Sequence, residues 1–268
     1  MATSLFQGSH SDLPFDRRAA VRHLKKADAK LAAVIDAVGP FTLTLEGGQT
    51  PFEALAESIV FQQLAGKAAA TILSRVVALF APKKFPTPED ILLTPDEKLR
   101  SAGLSGSKTM AVKDLAKKTL DGIVPELADL HEMEEEAIIE RLTQVRGIGR
   151  WTVEMMLMFR LGRPDVLPVT DYGVRKGFQK VFRTRDLPDP KRMLAQAESW
   201  RPYRSVAAWY LWRVLDLEKD ERGGRVAAKA AVKKGASASS RARASKKPRA
   251  RVSRKSSRGP ASSRKRRR

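Results

Sequence analysis

The sequence predicts an all-α body followed by a basic tail, and three observations predict it. Helix-start signals recur along the chain, most clearly at Thr50-Pro51-Phe52-Glu53, where a Thr cap, Pro at the first helical position and Glu three residues after the cap satisfy free amides reciprocally. Apolar residues follow at near-helical spacing, as in Phe52, Leu55, Ile59, Ile72, Val76 and Phe80. Strand-like alternation is confined to Phe41-Thr42-Leu43-Thr44-Leu45, too short to imply a sheet, and no internal repeat or βαβ rhythm occurs.

Residues 1 to about 15 are polar with Gly8 and Pro14, which predicts a loose start. A first helix is expected from about Asp16 to Val38, ended by Gly39-Pro40. The helix opened at Thr50 should reach about Phe80, with a break at Ala65-Gly66. Pro82, Pro86, Pro88 and Pro95 punctuate a loop-rich stretch with a short helix near 88–93. After the Gly103 to Gly106 turn, a helix should run from about Lys108 to Asp121. Glu134-Glu135-Glu136 suits the positive end of a helix dipole and opens an expected helix over 134–144. Helices over 151–162, 171–183, 190–199 and 202–219 complete the body. This divides the chain into residues 1–40 (N-terminal segment and first helix), a body over 41–221, and a tail over 222–268.

The chain has 268 residues, 42% of them hydrophobic, enough for one or two compact cores. It has no cysteine, which excludes disulfides, a thiol nucleophile, thiolate zinc sites and Cys-ligated iron–sulfur clusters. His10, His23 and His131 are scattered and support neither a metal site nor a triad. No apolar run approaches the roughly 18 residues of a membrane helix, and no signal-peptide pattern opens the chain. The expectation is a soluble intracellular protein with no membrane contact.

The net charge of +21 is concentrated at one end. Residues 222–268 carry 19 Lys or Arg and no acid, which leaves 32 of the 51 basic side chains facing all 30 acids in residues 1–221, a net of +2. The tail has Val as its sole larger apolar residue, so it cannot bury enough surface to offset its ordering entropy and is expected to be disordered. Its Ala-Lys-Ser-Arg-Pro character resembles histone H1-like tails. Non-specific, salt-dependent phosphate contact is the expected role, against a solvated appendage or a localisation signal.

Two segments carry the chemistry. In Arg146-Gly147-Ile148-Gly149-Arg150-Trp151-Thr152 the glycines permit a tight turn and close main-chain approach, and the turn feeds a helix whose free N-terminal amides favour an anion such as phosphate. A plain αα-hairpin with a glycine cap would use the same residues. Pro168-Val169-Thr170-Asp171-Tyr172-Gly173 opens another helix with an isolated carboxylate. Asp171 reads either as an ordinary N-cap or as an anion favoured by the helix N-terminus and facing a pocket. One carboxylate suffices to stabilise oxocarbenium character at a sugar when the leaving group is already cationic; ordinary glycosidases need a second carboxyl as acid. Trp151, Trp200, Trp209 and Trp212 could sandwich a flat, positively charged base, or simply pack a core.

Gly147-Ile148-Gly149-Arg150-Trp151-Thr152 with Leu167-Pro168-Val169-Thr170-Asp171-Tyr172 resembles the helix-hairpin-helix DNA glycosylase superfamily, of the 3-methyladenine DNA glycosylase II type. Pro51-Phe52-Glu53-Ala54-Leu55 with Ile59-Val60-Phe61-Gln62-Gln63-Leu64, Gly103-Leu104-Ser105 with Lys108, and Trp200-Arg201-Pro202-Tyr203-Arg204-Ser205 running to Trp212 extend the likeness over about residues 30–217. The resemblance implies two helical lobes with a cleft between them, and a monofunctional enzyme of base excision repair. Such an enzyme flips alkylated bases of the 3-methyladenine and 7-methylguanine type from double-stranded DNA and hydrolyses the N-glycosidic bond. It implies Asp171 as the catalytic carboxylate, Trp151, Trp212, Met155 and Tyr172 around the base, and Gln63 with Leu64 as the duplex wedge. DNA contacts would come from Arg146, Gly147, Ile148, Gly149, Arg150, Thr152 and Lys108. The carbonyls of Thr143, Val145 and Gly147 would hold a structural monovalent cation, with no other cofactor.

Departures from the family pattern refine these implications. Trp151 stands where strand-cutting members carry Lys, so no Schiff base is expected there; Met155 stands where some relatives have a pocket Tyr; and with only about 40 residues before the match, the N-terminal β domain of larger relatives is expected to be missing or vestigial. A monomer acting at the nucleoid, or in the nucleus of a eukaryote, is expected. The competing readings are a non-catalytic architectural DNA-binding protein, for which Asp171 beside phosphates has no purpose, and a glycosylase for neutral lesions such as hypoxanthine.

Overall fold

The structure, a computed structural model, describes residues 13–217. The expectations for the first dozen residues, for His10, for the tail 222–268 and for the end of the 202–219 helix lie outside the described residues. Within them the fold is helical with no strand.

The expected helix from 16 to 38 is two helices, α1 (Arg17–Ala27) and α2 (Ala29–Val38), meeting at Asp28. Asp28 has extended backbone, and its carboxylate accepts from the amides of Lys30 (2.9 Å) and Leu31 (3.1 Å), so capping the new helix wins over continuing the old one. Its second oxygen accepts from Gln196 Nε2 (2.9 Å) and the Trp200 indole (3.2 Å), a tie spanning most of the chain.

Behind the Thr50 capping box runs α3 (Pro51–Phe61), and α4 (Gly66–Ala78) follows the expected break. Next come α5 (Pro88–Leu93), α6 (Asp96–Ser101) and α7 (Gly106–Leu120), then α8 (Leu127–Glu132) and α9 (Glu135–Leu142). The body closes with α10 (Arg150–Phe159), α11 (Tyr172–Phe182), α12 (Pro190–Ala197), a 3-10 turn (Glu198–Trp200) and α13 (204–217). Helices α6 and α8, six residues each, were not expected; each is too short to show a periodic face.

Phe41, Leu43 and Leu45 are buried, but as an extended seam rather than a strand. Phe41 meets Trp209 edge-on at 5.0 Å, and the Glu46 amide donates to the Phe159 carbonyl, which docks the seam onto the end of α10.

Among the described helices, α3 through α7 pack on one another, α1 and α2 pack with α11 and the 3-10 turn, and α9 pairs with α10. The Tyr210 hydroxyl of α13 donates to the Gly39 carbonyl at the end of α2. Helix α10, paired with α9, faces α3 across a cavity of about 230 Å³ lined by Ser58, Phe61, Met155 and Phe159.

Candidate active site

Asp171 is the N-cap of α11, and its Oδ1 accepts from the Val174 amide at 2.7 Å, so the modest capping reading holds. The same carboxylate also does more. Its Oδ1 accepts from the Trp212 indole at 2.8 Å and its Oδ2 from the Trp151 indole at 2.9 Å. Two tryptophans 61 residues apart, on α13 and α10, thus converge on one carboxylate that stands outside any ion pair among the described residues. Three N–H donors fix the orientation of both oxygens without neutralising them.

The surroundings of the carboxylate follow from helical spacing. Trp151, Met155 and Phe159 lie four residues apart on α10 and share a face, and Phe159 stacks on Trp212 at 5.8 Å and 29°. Trp151 is 46% exposed and Tyr172 more so, open to a partner, whereas Met155 and Trp212 are half-buried. Trp200 and Trp209 are core residues, as the plain packing reading of those two has it.

Glycines bring Trp212 to Asp171. A Cβ on Gly173 would lie 2.7 and 2.8 Å from the Trp212 ring and 3.1 Å from Asp171 Oδ1; on Gly177, one turn later, it would lie 2.1 Å from the Leu211 carbonyl oxygen. Helices α11 and α13 therefore touch almost backbone to backbone. The Gly173-x-x-x-Gly177 spacing that places both on one face was visible in the sequence, but only their partner on α13 gives it meaning.

The hairpin is braced from beneath. Gly147 has φ +81°, open chiefly to glycine, and sits against Ala111 of α7. The Arg146 amide donates to Asp114 (2.7 Å), Lys118 Nζ bonds the Gln144 carbonyl, and Gln62 Nε2 donates to the Gly147 carbonyl (2.8 Å). Gly149 caps α10 without a side chain; the Thr152 amide donates to the Gly149 carbonyl (2.9 Å), which leaves the amides of Arg150 and Trp151 available to an anion.

Four residues expected at DNA are placed otherwise. Ile148 and Thr152 are buried. Arg150 folds back onto Glu136 in a bidentate pair (2.7 Å each) and onto Glu154 (3.2 Å), because fork geometry and two carboxylates outcompete water. Lys108 sends its ammonium inward to the carbonyls of Val60 (2.7 Å) and Gln62 (2.9 Å). Arg146, Gly147 and Gly149 are exposed.

Glu154, behind Trp151, is 4% exposed, and its Oε2 has no partner among the described residues. Burial raises its carboxyl above the ordinary 4.5, against the lowering pull of Arg150. A raised folded-state value means the protonated form contributes stability that is lost as pH climbs through that value. Glu154→Gln, which mimics the neutral acid, should therefore gain melting temperature relative to the parent as pH rises from 4.5 toward neutrality. A difference that stays flat with pH would show that Glu154 titrates as an ordinary carboxyl.

Comparisons with known proteins agree with this architecture. Residues 56–202 match the family model described as HhH-GPD superfamily base excision DNA repair protein. DNA-3-methyladenine glycosylase 1 of Schizosaccharomyces pombe is 36% identical over 197 residues, which cover 73% of this chain and 86% of that protein. The solved structure of Schizosaccharomyces pombe 3-methyladenine DNA glycosylase in complex with abasic DNA is similar at TM-score 0.65 and 36% identity, covering 73% of this chain and 95% of that one. A DNA-3-methyladenine glycosidase from Bacillus halodurans is similar at TM-score 0.66 and 35% identity, covering 72% and 88%. Fold and relatives together define a class, the DNA glycosylases built around a helix-hairpin-helix. This chain belongs to the HhH-GPD superfamily of base excision DNA repair proteins.

Proposed function

We propose that this glycosylase flips alkylated purines of the 3-methyladenine and 7-methylguanine type out of duplex DNA and hydrolyses their N-glycosidic bond, leaving the strand intact. The observation that carries the reading is the Asp171 carboxylate held between the indole N–H groups of Trp151 and Trp212. Relatives named for 3-methyladenine, one of them solved with abasic DNA, support both the substrate class and DNA binding.

In this mechanism the base enters beside Trp151, Met155, Tyr172 and Trp212. A base that carries a formal positive charge gains about 0.5–2 kcal/mol over a good indole face. It is also a ready leaving group: the C1′–N bond breaks, its electron pair neutralises the base, and no acid has to protonate it. Asp171 stabilises the positive charge that develops at C1′ and orients the water that adds there, whose proton passes to solvent. Trp151 has no amine to form an imine with the sugar, so the backbone is not cut by that route.

Gln63, with φ +57°, and Leu64, 40% exposed, form the turn after α3 that would wedge the duplex. Arg146 and the main chain of Gly147 and Gly149 would grip phosphate, and the basic tail would add affinity sensitive to salt. The carbonyls of Val145 and Gly147 each accept one bond and keep a second lone pair, so with Thr143 they fit a monovalent cation, which would add positive charge under the hairpin. The protein would act as a monomer wherever the DNA is held.

The full-length protein, offered duplexes with single lesions, should release the cationic purines at least about tenfold faster than hypoxanthine, one decade being about 1.4 kcal/mol of barrier. Faster release of hypoxanthine would overturn the substrate class.

A further inference from the structure

Lys108 occupies an odd place for a cation. It lies in the first turn of α7, where the helix dipole disfavours positive charge, and burial holds its ammonium below the ordinary lysine value. What compensates is the far end of another helix. Its Nζ donates to the carbonyls of Val60 and Gln62, at 2.7 and 2.9 Å, where the C-terminus of α3 leaves carbonyls without helical partners.

Those carbonyls lead straight into the turn carrying Gln63 and Leu64. Gln63 holds a left-handed backbone, which is disfavoured for a residue with a side chain, and the residues from Gln63 to Ala68 are exposed. A strained, exposed turn keeps one shape only if its base is fixed. Gln62 supplies a second tie, donating through Nε2 to the Gly147 carbonyl of the hairpin 85 residues away.

We infer that Lys108 is a positioning residue for strand opening: with Gln62 it locks the Gln63–Leu64 turn to the hairpin, so that wedge and phosphate grip move as one body. This rests on the proposed reading of Leu64 as the wedge. Lys108 then acts through α3 and contributes no phosphate contact of its own.

The test uses the full chain with Lys108→Met, Lys108→Arg, Gln62→Leu and Leu64→Ala, all checked for thermal midpoint. Excision of one 7-methylguanine is timed in a perfect duplex and in an unpaired bubble, with 2-aminopurine next to the lesion reporting unstacking. Lys108→Met and Gln62→Leu should each slow duplex excision and the 2-aminopurine rise about tenfold while bubble excision stays near the parent rate. Lys108→Arg should recover most of the loss. The slope of log Kd against log salt should be unchanged in Lys108→Met; a slope shallower by about one would mark a direct phosphate contact and overturn the inference. Equal losses on duplex and bubble, or a collapse of Lys108→Met stability with Gln62→Leu at parent rates, would also overturn it. If Leu64→Ala alone leaves duplex opening untouched, the wedge reading fails instead, and the inference with it.

Discussion

Asp171→Asn is expected to lower single-turnover release of an alkylated purine by about 10²–10³-fold, the scale of losing one preorganised electrostatic group at a developing charge. Affinity for abasic duplex should change by less than about threefold, or about 0.7 kcal/mol. The geometry makes the substitution specific. Oδ1 takes two donors, Val174 N and Trp212 Nε1, so the asparagine oxygen must remain there, and its NH₂ then faces the Trp151 indole N–H donor to donor. Helix capping and the α13 contact survive, while the negative charge and the Trp151 bond are lost. A variant that still excises within tenfold of the parent would remove Asp171 from the chemistry.

Gly177→Ala should be the most damaging single methyl in the body. The new Cβ would lie 2.1 Å from the Leu211 carbonyl oxygen, 2.6 Å from its carbon and 3.0 Å from its Cα, all main-chain atoms that cannot rotate aside. Overpacking typically costs about 1–3 kcal/mol, and a clash with backbone belongs at or above the top of that range. Each kcal/mol shifts the midpoint of a domain this size by about 2–4 °C, so a loss near 10 °C is the expected reading. Gly173→Ala supplies the contrast: its clash is with the Trp212 ring, a side chain, so it should displace that indole from Asp171 and cut activity with a smaller fall in melting temperature. Parent-like melting of Gly177→Ala would mean that α11 and α13 cross further apart than 2.1 Å implies.

Much of this was legible in the residues, and the remainder was hidden for identifiable reasons. Local rules located α3 and α11, because a capping box and an Asx cap are short-range chemistry. The Asp28 break was missed since one Asp in an apolar-periodic run reads as surface until Gln196 and Trp200 are seen to need its second oxygen. For Asp171 the two competing readings were never exclusive: one carboxylate caps α11 with one lone pair and meets the indoles with others. The inward partners of Lys108 and Arg150 are not legible in the sequence, because charge suggests phosphate while the carbonyls of α3 and the carboxylate of Glu136 become neighbours only on folding. No spacing rule links α11 to α13, so the role of Gly173 and Gly177 was out of reach.

The Asp28–Trp200 tie also sets an order of events. Two acceptors of the first helices exchange water for protein partners only after residues 196–210 have been made: Asp28 Oδ2 takes Gln196 and Trp200, and the Gly39 carbonyl takes Tyr210. Closing loops of about 170 residues is entropically slow, whereas α3 through α7 pack through neighbours close in sequence. On the ribosome, the α3–α7 layer should condense while α1 and α2 are still searching. A chain trimmed to the matched span 56–202 would keep Trp200 yet strand its indole N–H in a core that had lost its acceptor.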